Sequence, residues 1–486
     1  MQHEASFSVP QGMQPGLARA LKLILRELEQ VLVPELQSDR ARSTAGMLAQ
    51  LLRHLALRET QLPDLLDEWT RQQQALLSEA GAAFDPGEGG AFERNRRVTA
   101  AVADLSARIA AHSVSDTGAG LTDPWCRRAV TAERNHLAAR SSAEREAPSL
   151  QHSSERAALL DVTPERLRPY LATKLPGFGS VQVTKVHKLL GGFSKETFII
   201  DAQADGNAMP LVMRRDIALG PVAGSVADEV PLLRALHAQS MPVPRPLLVE
   251  ADRSVFGEAF FIAPKAAGET AFSNVHGLDM GGGQENAARA LAEVLGRLHR
   301  LDASAMNLPR SFFDADLSMA DCVRRQVEAY ERGWFSRTHQ PSPTMSAAFA
   351  WLRANLPPSA GRPCIVHGDA GLHNLMMDAG RVSVMLDWEL SHMGDPVEDL
   401  AYCRTWVDQA LPWSEFLEIY YRHGGVEYRP EYESFYSVLS NLRVVVFAAQ
   451  SGYGSHWSEH PELPLMFATT HYHNVFLDKV AAQLAG

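Results

Sequence analysis

Three side chains combine types and spacing that permit chemistry. Asp369 and Asn374 lie five residues apart on a stretch that leaves the apolar run Cys364-Ile365-Val366, and Asp387 ends a second apolar run, Val382 to Leu386. A carboxamide and a carboxylate are hard oxygen donors of the kind Mg2+ accepts. A second carboxylate beside them can receive the proton of a hydroxyl. Phosphoryl transfer passes through a loose transition state in which positioning and charge neutralisation outweigh base strength, so a carboxylate of ordinary basicity suffices. The set points to transfer of a phosphate from a magnesium-bound nucleotide to an alcohol, with Asp369 catalytic and Asn374 and Asp387 holding the metal.

These residues need a frame. Leu375 to Asp378 and Val382 to Leu386 flank Ala379-Gly380, a turn pair, and the resulting hairpin folds Asp387 back beside Asn374. A lone Asp at a strand end is most simply a turn former; three correctly spaced residues on one strand-loop-strand frame weigh against that reading. Upstream, apolar residues alternate with period two through Val181 to Leu190, Thr197 to Asp201 and Leu211 to Arg215, which predicts three strands. A helix is expected next, capped by Ser225 with Asp228 three residues on, and carrying Val226, Val230, Leu233 and His237 on one face. Pro242, Pro244 and Pro246 end it, and Leu247 to Glu250 and Ala259 to Ala263 read as two further strands. The chain from Gln284 on is mainly helical.

The start of the chain has a different texture. Apolar residues recur every three or four positions from Leu17 to Val33, through Leu48, Leu51 and Leu55, from Leu62 to Leu76, and from Val98 to Ile109, which predicts a bundle of four helices. The expected division is an all-α N-terminal bundle over 1–112, a linker over 113–158, an α+β N-lobe over 159–265 and a helical C-lobe over 266–486.

A chain of 486 residues exceeds what one core usually serves, and 45% hydrophobic with 21% charged residues is the balance of a globular protein. The net charge of −11 argues against a nucleic-acid surface, and no apolar run is long enough to span a membrane. Met1-Gln2-His3-Glu4-Ala5 lacks the features of a secretory signal, and the four cysteines are scattered without paired spacing, so a cytoplasmic location is expected. The carboxylate-rich C-terminal region reads as a solvated surface, with attraction of a cationic substrate as the alternative.

His367-Gly368-Asp369 with Asn374 and Asp387-Trp388-Glu389 resembles the aminoglycoside phosphotransferase and choline kinase superfamily, which has a two-lobed protein-kinase-like fold. Leu190-Gly191-Gly192-Phe193-Ser194, Val212-Met213-Arg214-Arg215, Val243-Pro244-Arg245-Pro246 and the stretch Gly394 to Ala401 resemble its kinase-like domains linked to acyl-CoA dehydrogenases. The resemblance implies ATP and Mg2+ as cofactors. It places Gly191, Gly192, Phe193 and Ser194 over the ATP phosphates, and Arg214, paired with Glu229, where relatives carry a phosphate-binding Lys. Lys195 stands where relatives often have Asn. The resemblance further implies that His367 orients the loop, and that His373, Glu389 and Arg443 are candidate substrate contacts, Arg443 for an acidic group. Asp395-Pro396-Val397-Glu398 reads as a helix cap with a capping-box Glu, and Asp399 as a structural partner.

Substrate class follows from what is missing. Gly368 replaces the Arg that protein kinases carry before the catalytic Asp, and only seven residues separate Asp387 from Asp395, leaving no platform for a polypeptide. A small hydroxylated molecule is the expected acceptor, a hydroxyacyl thioester or hydroxy acid first and an amino sugar or amino alcohol next. The alternative is a catalytically idle kinase-like nucleotide-binding or assembly module, and the N-terminal bundle offers apolar faces for a homodimer. His456-Trp457-Ser458-Glu459-His460 formally matches a zinc-hydrolase motif, but the nearby Gly452, Gly454 and Pro461 oppose the helix it requires.

Overall fold

The computed structural model describes residues 39–111, 121–145, 162–175, 181–189, 194–270 except 205, 219 and 223, 284–337, 341–358, 361–457 and 467–485, together with 25, 28 and 465. Helices α1 (Asp39–Thr60), α2 (Leu62–Glu79), α3 (Ala91–Ala110) and α4 (Pro124–Arg145) come first. The helix expected at Leu17 to Val33 lies outside the described residues, apart from Leu25 and Leu28. The segment 113–158, read as a linker with some helical content in which Trp125 and Leu137 could dock, contains the 22 residues of α4. Its buried face of Trp125, Cys126, Ala129 and Val130 is docked, and Trp125 Nε1 donates to the Leu76 carbonyl at 2.7 Å. The bounds of α4 were not legible because its polar and charged residues dilute a narrow apolar stripe.

Helix α5 (Pro164–Lys174) leads into a six-stranded antiparallel sheet of β1 (Gln182–Leu189), β2 (Lys195–Ala204), β3 (Asn207–Ala208), β4 (Leu211–Asp216), β5 (Leu248–Glu250) and β6 (Phe260–Pro264), in the order β1-β2-β4-β6-β5 with β3 on β2. Successive strand side chains point to opposite faces. Phe198, Ile200, Leu211, Met213, Phe260 and Ile262 therefore share one face and pack on Leu167 and Leu171 of α5. Phe261 and Ala263 turn the other way, toward α6 (Val226–Ala238) and the main core. The Ser225 and Asp228 capping box expected for α6 is present.

The second lobe holds α7 (Gln284–His299), α8 (Met319–Arg337), α9 (Pro343–Ala354), α10 (Val397–Ala410), α11 (Trp413–Arg422), α12 (Glu433–Trp457) and α13 (His473–Ala485). Between them run β7 (Glu269–Thr270), β8 (Cys364–Val366), β9 (Leu375–Asp378), β10 (Arg381–Met385) and β11 (His392–Gly394), with β9 between β10 and β7, and β11 paired to β8.

All residues of α9 from Pro343 to Leu352 are buried. A helix apolar all round requires cover on every side. Here α3, α4 and α13 supply much of it, so the N-terminal helices and the C-lobe share one continuous core. Glu133 of α4 seals the junction: its Oε2 accepts from Thr344 N at 2.7 Å and from Ser342 Oγ at 3.2 Å, capping α9 from another element. Helix α12 runs through Gly452 and Gly454 to Trp457. Gly452 is a close-packing position, since a Cβ there would sit 2.8 Å from Thr469 Cγ2. Ser458 to His460 of the zinc-like motif lie outside the described residues, and among the described residues no group of three or more His, Cys, Asp or Glu side chains is placed to hold a metal. No described helix is long and apolar enough to cross a membrane.

Candidate active site

The loop bearing Asp369 follows the buried strand β8, and its backbone is fixed by side chains from three other elements. Gly368 has φ 80°, and a Cβ there would lie 2.5 Å from the Leu390 carbonyl oxygen, so only glycine fits. Asp399, in the first turn of α10, accepts from His367 N at 2.8 Å through Oδ2 and from Gly368 N at 2.9 Å through Oδ1. His299 Nε2 lies 3.1 Å from Asp399 Oδ2, and His299 Nδ1 is 2.9 Å from the Tyr420 hydroxyl. With Nε2 donating to the carboxylate, Nδ1 accepts from Tyr420. All three side chains are buried. Burial raises the Asp399 carboxyl, and hydrogen bonds from His299 and from the His367 backbone N–H outweigh it and hold the group below the usual range. His299 and Tyr420 were invisible as site residues, because a His at a helix end and a Tyr on an amphipathic face have ordinary structural explanations.

His367 orients the loop. Its Nδ1 accepts from Asp369 N at 3.1 Å and its Nε2 donates to the Leu386 carbonyl at 2.8 Å, while the ring meets Trp388 edge-on at 4.6 Å. One imidazole thus spans the catalytic loop and the end of β10.

Asn374 and Asp369 are in direct contact. Asn374 Nδ2 donates to both the Asp369 carbonyl and Asp369 Oδ2, each at 2.8 Å, which leaves its Oδ1 as an oxygen donor for a cation. Strands β9 and β10 pair Leu375 with Met385, and Leu386 N donates to the Asn374 carbonyl at 2.8 Å, extending that register by one step. Asp387 follows at once, in a left-handed conformation with φ 62° and ψ 57°. That conformation costs a non-glycine residue roughly 1–2 kcal/mol.

Burial would raise the Asp369 carboxyl. The neighbouring His373, the charge of Arg443 and the nearby Tyr402 overcome it and hold the group well below the ordinary carboxylate range. Asp369 is therefore held as an anion and is a weak base.

Across the cleft, Arg214 of β4 forms an ion pair and hydrogen bond with Asp387, and its Nη2 lies 3.9 Å from Glu389 Oε2. Ser194 Oγ donates to Glu389 Oε1 at 2.5 Å, tying the residue just before β2 to the carboxylates after β10. Gly191, Gly192 and Phe193 lie outside the described residues. The expected pairing of Arg214 with Glu229 is corrected: the guanidinium engages Asp387, and the buried Glu229 keeps Oε1 without a hydrogen-bond partner. Burial pushes the Glu229 carboxyl up to about 8, with the nearby Arg214 charge opposing the rise. Arg215, on the other face of β4, pairs with Glu196 at 2.6 Å. Lys195 is buried, donating to Asp216 Oδ1 at 2.9 Å and to the Gly224 carbonyl at 2.5 Å.

His373 Nε2 lies 3.6 Å from Asp369 Oδ2 and its ring leans on Trp406 at 5.3 Å. Arg443 does not stand open to an acidic substrate group. It is 2% exposed, donates through Nη1 to the Gly368 carbonyl, and lies 3.5 Å from Glu398 Oε1 and 4.0 Å from Asp369 Oδ1. Its position beneath the catalytic loop makes it a brace. Glu398 is not a capping-box residue either: it points inward to His392 and Gln326, both at 3.1 Å. Asp395 receives Val397 N at 3.0 Å and Arg429 Nη2 at 2.6 Å.

Residues 185–435 match the model of the phosphotransferase enzyme family, more than half of the 486 residues. The chain belongs to that family. Among curated relatives, this phosphotransferase-family chain is 30% identical over 307 residues to acyl-CoA dehydrogenase family member 11 of Rattus norvegicus, covering 58% of the chain and 38% of that protein. It is 33% identical over 243 residues to the Mus musculus protein of the same name, covering 49% of the chain and 30% of that protein. The chain thus spans about a third of the length of the curated relatives it matches. Among solved structures it is similar to a macrolide 2'-phosphotransferase from Brachybacterium faecium (17% identity, 66% of this chain and 97% of that one, TM-score 0.39). It is also similar to an aminoglycoside phosphotransferase solved with ADP and hygromycin B (17% identity, 66% and 99%, TM-score 0.42).

Proposed function

We propose that this phosphotransferase-family protein is an ATP- and Mg2+-dependent kinase of a small molecule, transferring the γ-phosphate to a hydroxyl. A hydroxyacyl thioester or hydroxy acid is favoured, and an amino sugar or amino alcohol comes next. The carrying observation is the contact of Asn374 with Asp369 on a loop whose following hairpin returns Asp387 to the same place.

Asp369 accepts the hydrogen bond of the acceptor hydroxyl and aims its oxygen. Its depressed basicity suits a loose transition state, in which the proton leaves late. Asn374 Oδ1 and the Asp387 carboxylate are hard oxygen donors that fit Mg2+, with Glu389 close by. When bound, the metal supplies neutralisation of charge on the transferring phosphate. Ser194, at the end of the Gly191-Gly192-Phe193-Ser194 motif assigned to the ATP phosphates, links to Glu389. Arg214 contributes positive charge on the nucleotide side. The names of the curated relatives, acyl-CoA dehydrogenase family members, support an acyl thioester setting for the acceptor.

The test is purified full chain with Mg-ATP and four acceptor classes: hydroxyacyl pantetheine thioesters, hydroxy acids, amino sugars and amino alcohols. ADP release and phosphorylated product are measured. Asp369→Ala is expected to abolish transfer while sparing ATP affinity, and Asp387→Ala to weaken metal-dependent nucleotide binding. Wild-type turnover in either variant contradicts the assignment. Mg-ATP binding without transfer to any acceptor favours an idle nucleotide-binding module.

A further inference from the structure

The phosphotransfer reading above assigns Asp369 to the acceptor hydroxyl but leaves open what surrounds the rest of the acceptor. Resting on that reading, we infer that Trp406, Tyr402 and His373 form an aromatic acceptor wall that selects molecules whose reacting hydroxyl is carried on an apolar carbon chain.

Tyr402 and Trp406 are four residues apart on α10 and so share a face. Their rings meet edge-to-face at 4.9 Å and 67°, and the His373 ring lies 5.3 Å from Trp406. All three are partly exposed. One of them borders the carboxylate assigned to the acceptor: His373 Nε2 is 3.6 Å from Asp369 Oδ2. Ring surface from His373 and Trp406 thus lies next to Asp369, continued by Tyr402.

The loop is shaped to seat one of these rings. Gly371 has φ −99° and ψ 158°, extended backbone open to any residue. Yet a Cβ there would lie 2.2 Å from His373 Cε1 and 2.4 Å from Nδ1. The glycine leaves room for the imidazole, and any larger residue displaces it from Trp406.

The charged groups nearest this wall are already engaged. Arg443 is held by the Gly368 carbonyl and Glu398, Glu398 by His392 and Gln326, and Asp399 by the loop backbone and His299. An amino sugar is recognised by carboxylates free to meet its ammonium groups, and these carboxylates are occupied. Methylene groups need only apolar contact, which ring surface provides.

The experiment uses the full chain with Mg-ATP and a homologous series of straight-chain hydroxyacyl pantetheine thioesters, alongside amino sugars and quaternary ammonium alcohols. In the wild type, kcat/KM should rise by about fourfold per added methylene until the wall is covered. Trp406→Ala should flatten that rise through acceptor KM, with the KM for ATP held. Trp406→Phe, which keeps a ring, should restore it. Gly371→Ala, which pushes the imidazole aside without touching Trp406, should shift the chain-length optimum. A flat series in the wild type, a steep series surviving in Trp406→Ala, or preference for amino sugars or quaternary ammonium alcohols overturns the wall while leaving phosphotransfer standing. Transfer to none of the acceptors overturns the phosphotransfer reading and the wall with it.

Discussion

Replacing Asp399 with asparagine changes one atom in a buried network that never touches the acceptor. The carboxylate receives three donors: His367 N, Gly368 N and His299 Nε2. Asparagine keeps one acceptor oxygen and turns the other position into a donor, so at least one buried N–H then faces another N–H. A hydrogen bond to a charged group contributes about 1.5–3 kcal/mol, and an unsatisfied buried donor costs about 1–3 kcal/mol. Allowing for relaxation, Asp399→Asn should destabilise the lobe by roughly 2–4 kcal/mol, enough to lower its melting temperature by several degrees. The kinetic effect should be larger. The two backbone groups released belong to residues 367 and 368, directly before Asp369, and a misplacement of about 1 Å at a reacting group lowers rate by roughly 100-fold. The assay is kcat with Mg-ATP alongside thermal melting, comparing Asp399→Asn, His299→Phe and the double variant. The network requires strongly non-additive losses, because the second change removes a partner already lost. Wild-type kcat in Asp399→Asn, or losses that simply add, would refute the argument that these side chains act through the loop.

Glu229→Gln should reveal the raised carboxyl pKa. A carboxyl whose folded pKa is lifted binds its proton more tightly in the folded state, so its contribution to stability is full below the unfolded value of about 4.5 and is lost as pH rises through about 8. Wild type should therefore lose melting temperature relative to Glu229→Gln between pH 5 and 9; parallel melting profiles across that window would contradict it. Deleting residues 1–110 should uncover α9 and yield a chain that binds ANS or self-associates, checked by dye fluorescence and light scattering, and a monomeric, dye-silent product would show that the helices are dispensable. Glu133→Ala should lower the melting temperature by several degrees, because Thr344 N loses its buried acceptor, whereas an unchanged melt would mean that the junction relaxes freely.

The reach of sequence reasoning can be seen residue by residue. The contact of Asn374 with Asp369 and the hairpin that precedes Asp387 were legible because their spacing is local, and local geometry is written in local sequence. The strands of the N-lobe were legible through period-two alternation, and α6 through its cap. Helix α5 was passed over, since Pro169 inside it interrupts the pattern. Long-range choices were hidden. Nothing in the pattern said that Arg214 would meet Asp387 in preference to Glu229, because both carboxylates lie far from it in sequence and the outcome depends on how the lobes pack. Arg443 illustrates the same limit: an arginine on a helix reads as surface or ligand until tertiary packing places it under the loop. Gly371 looked like an unremarkable loop glycine, and its meaning appears only when the His373 ring is seen in the space it leaves.

The cover over α9 has a temporal side. Leu121 N donates to the Leu484 carbonyl at 3.1 Å, so α3 and α4 complete their packing only against segments translated hundreds of codons later. During synthesis the early helices wait, with apolar stripes unclaimed, while the N-lobe sheet assembles on its own core. Such distant closure slows folding and lengthens the interval in which a nascent chain can stick to its neighbours. Yield of native protein should therefore depend on chaperone supply and on growth temperature more than its marginal free energy alone would suggest.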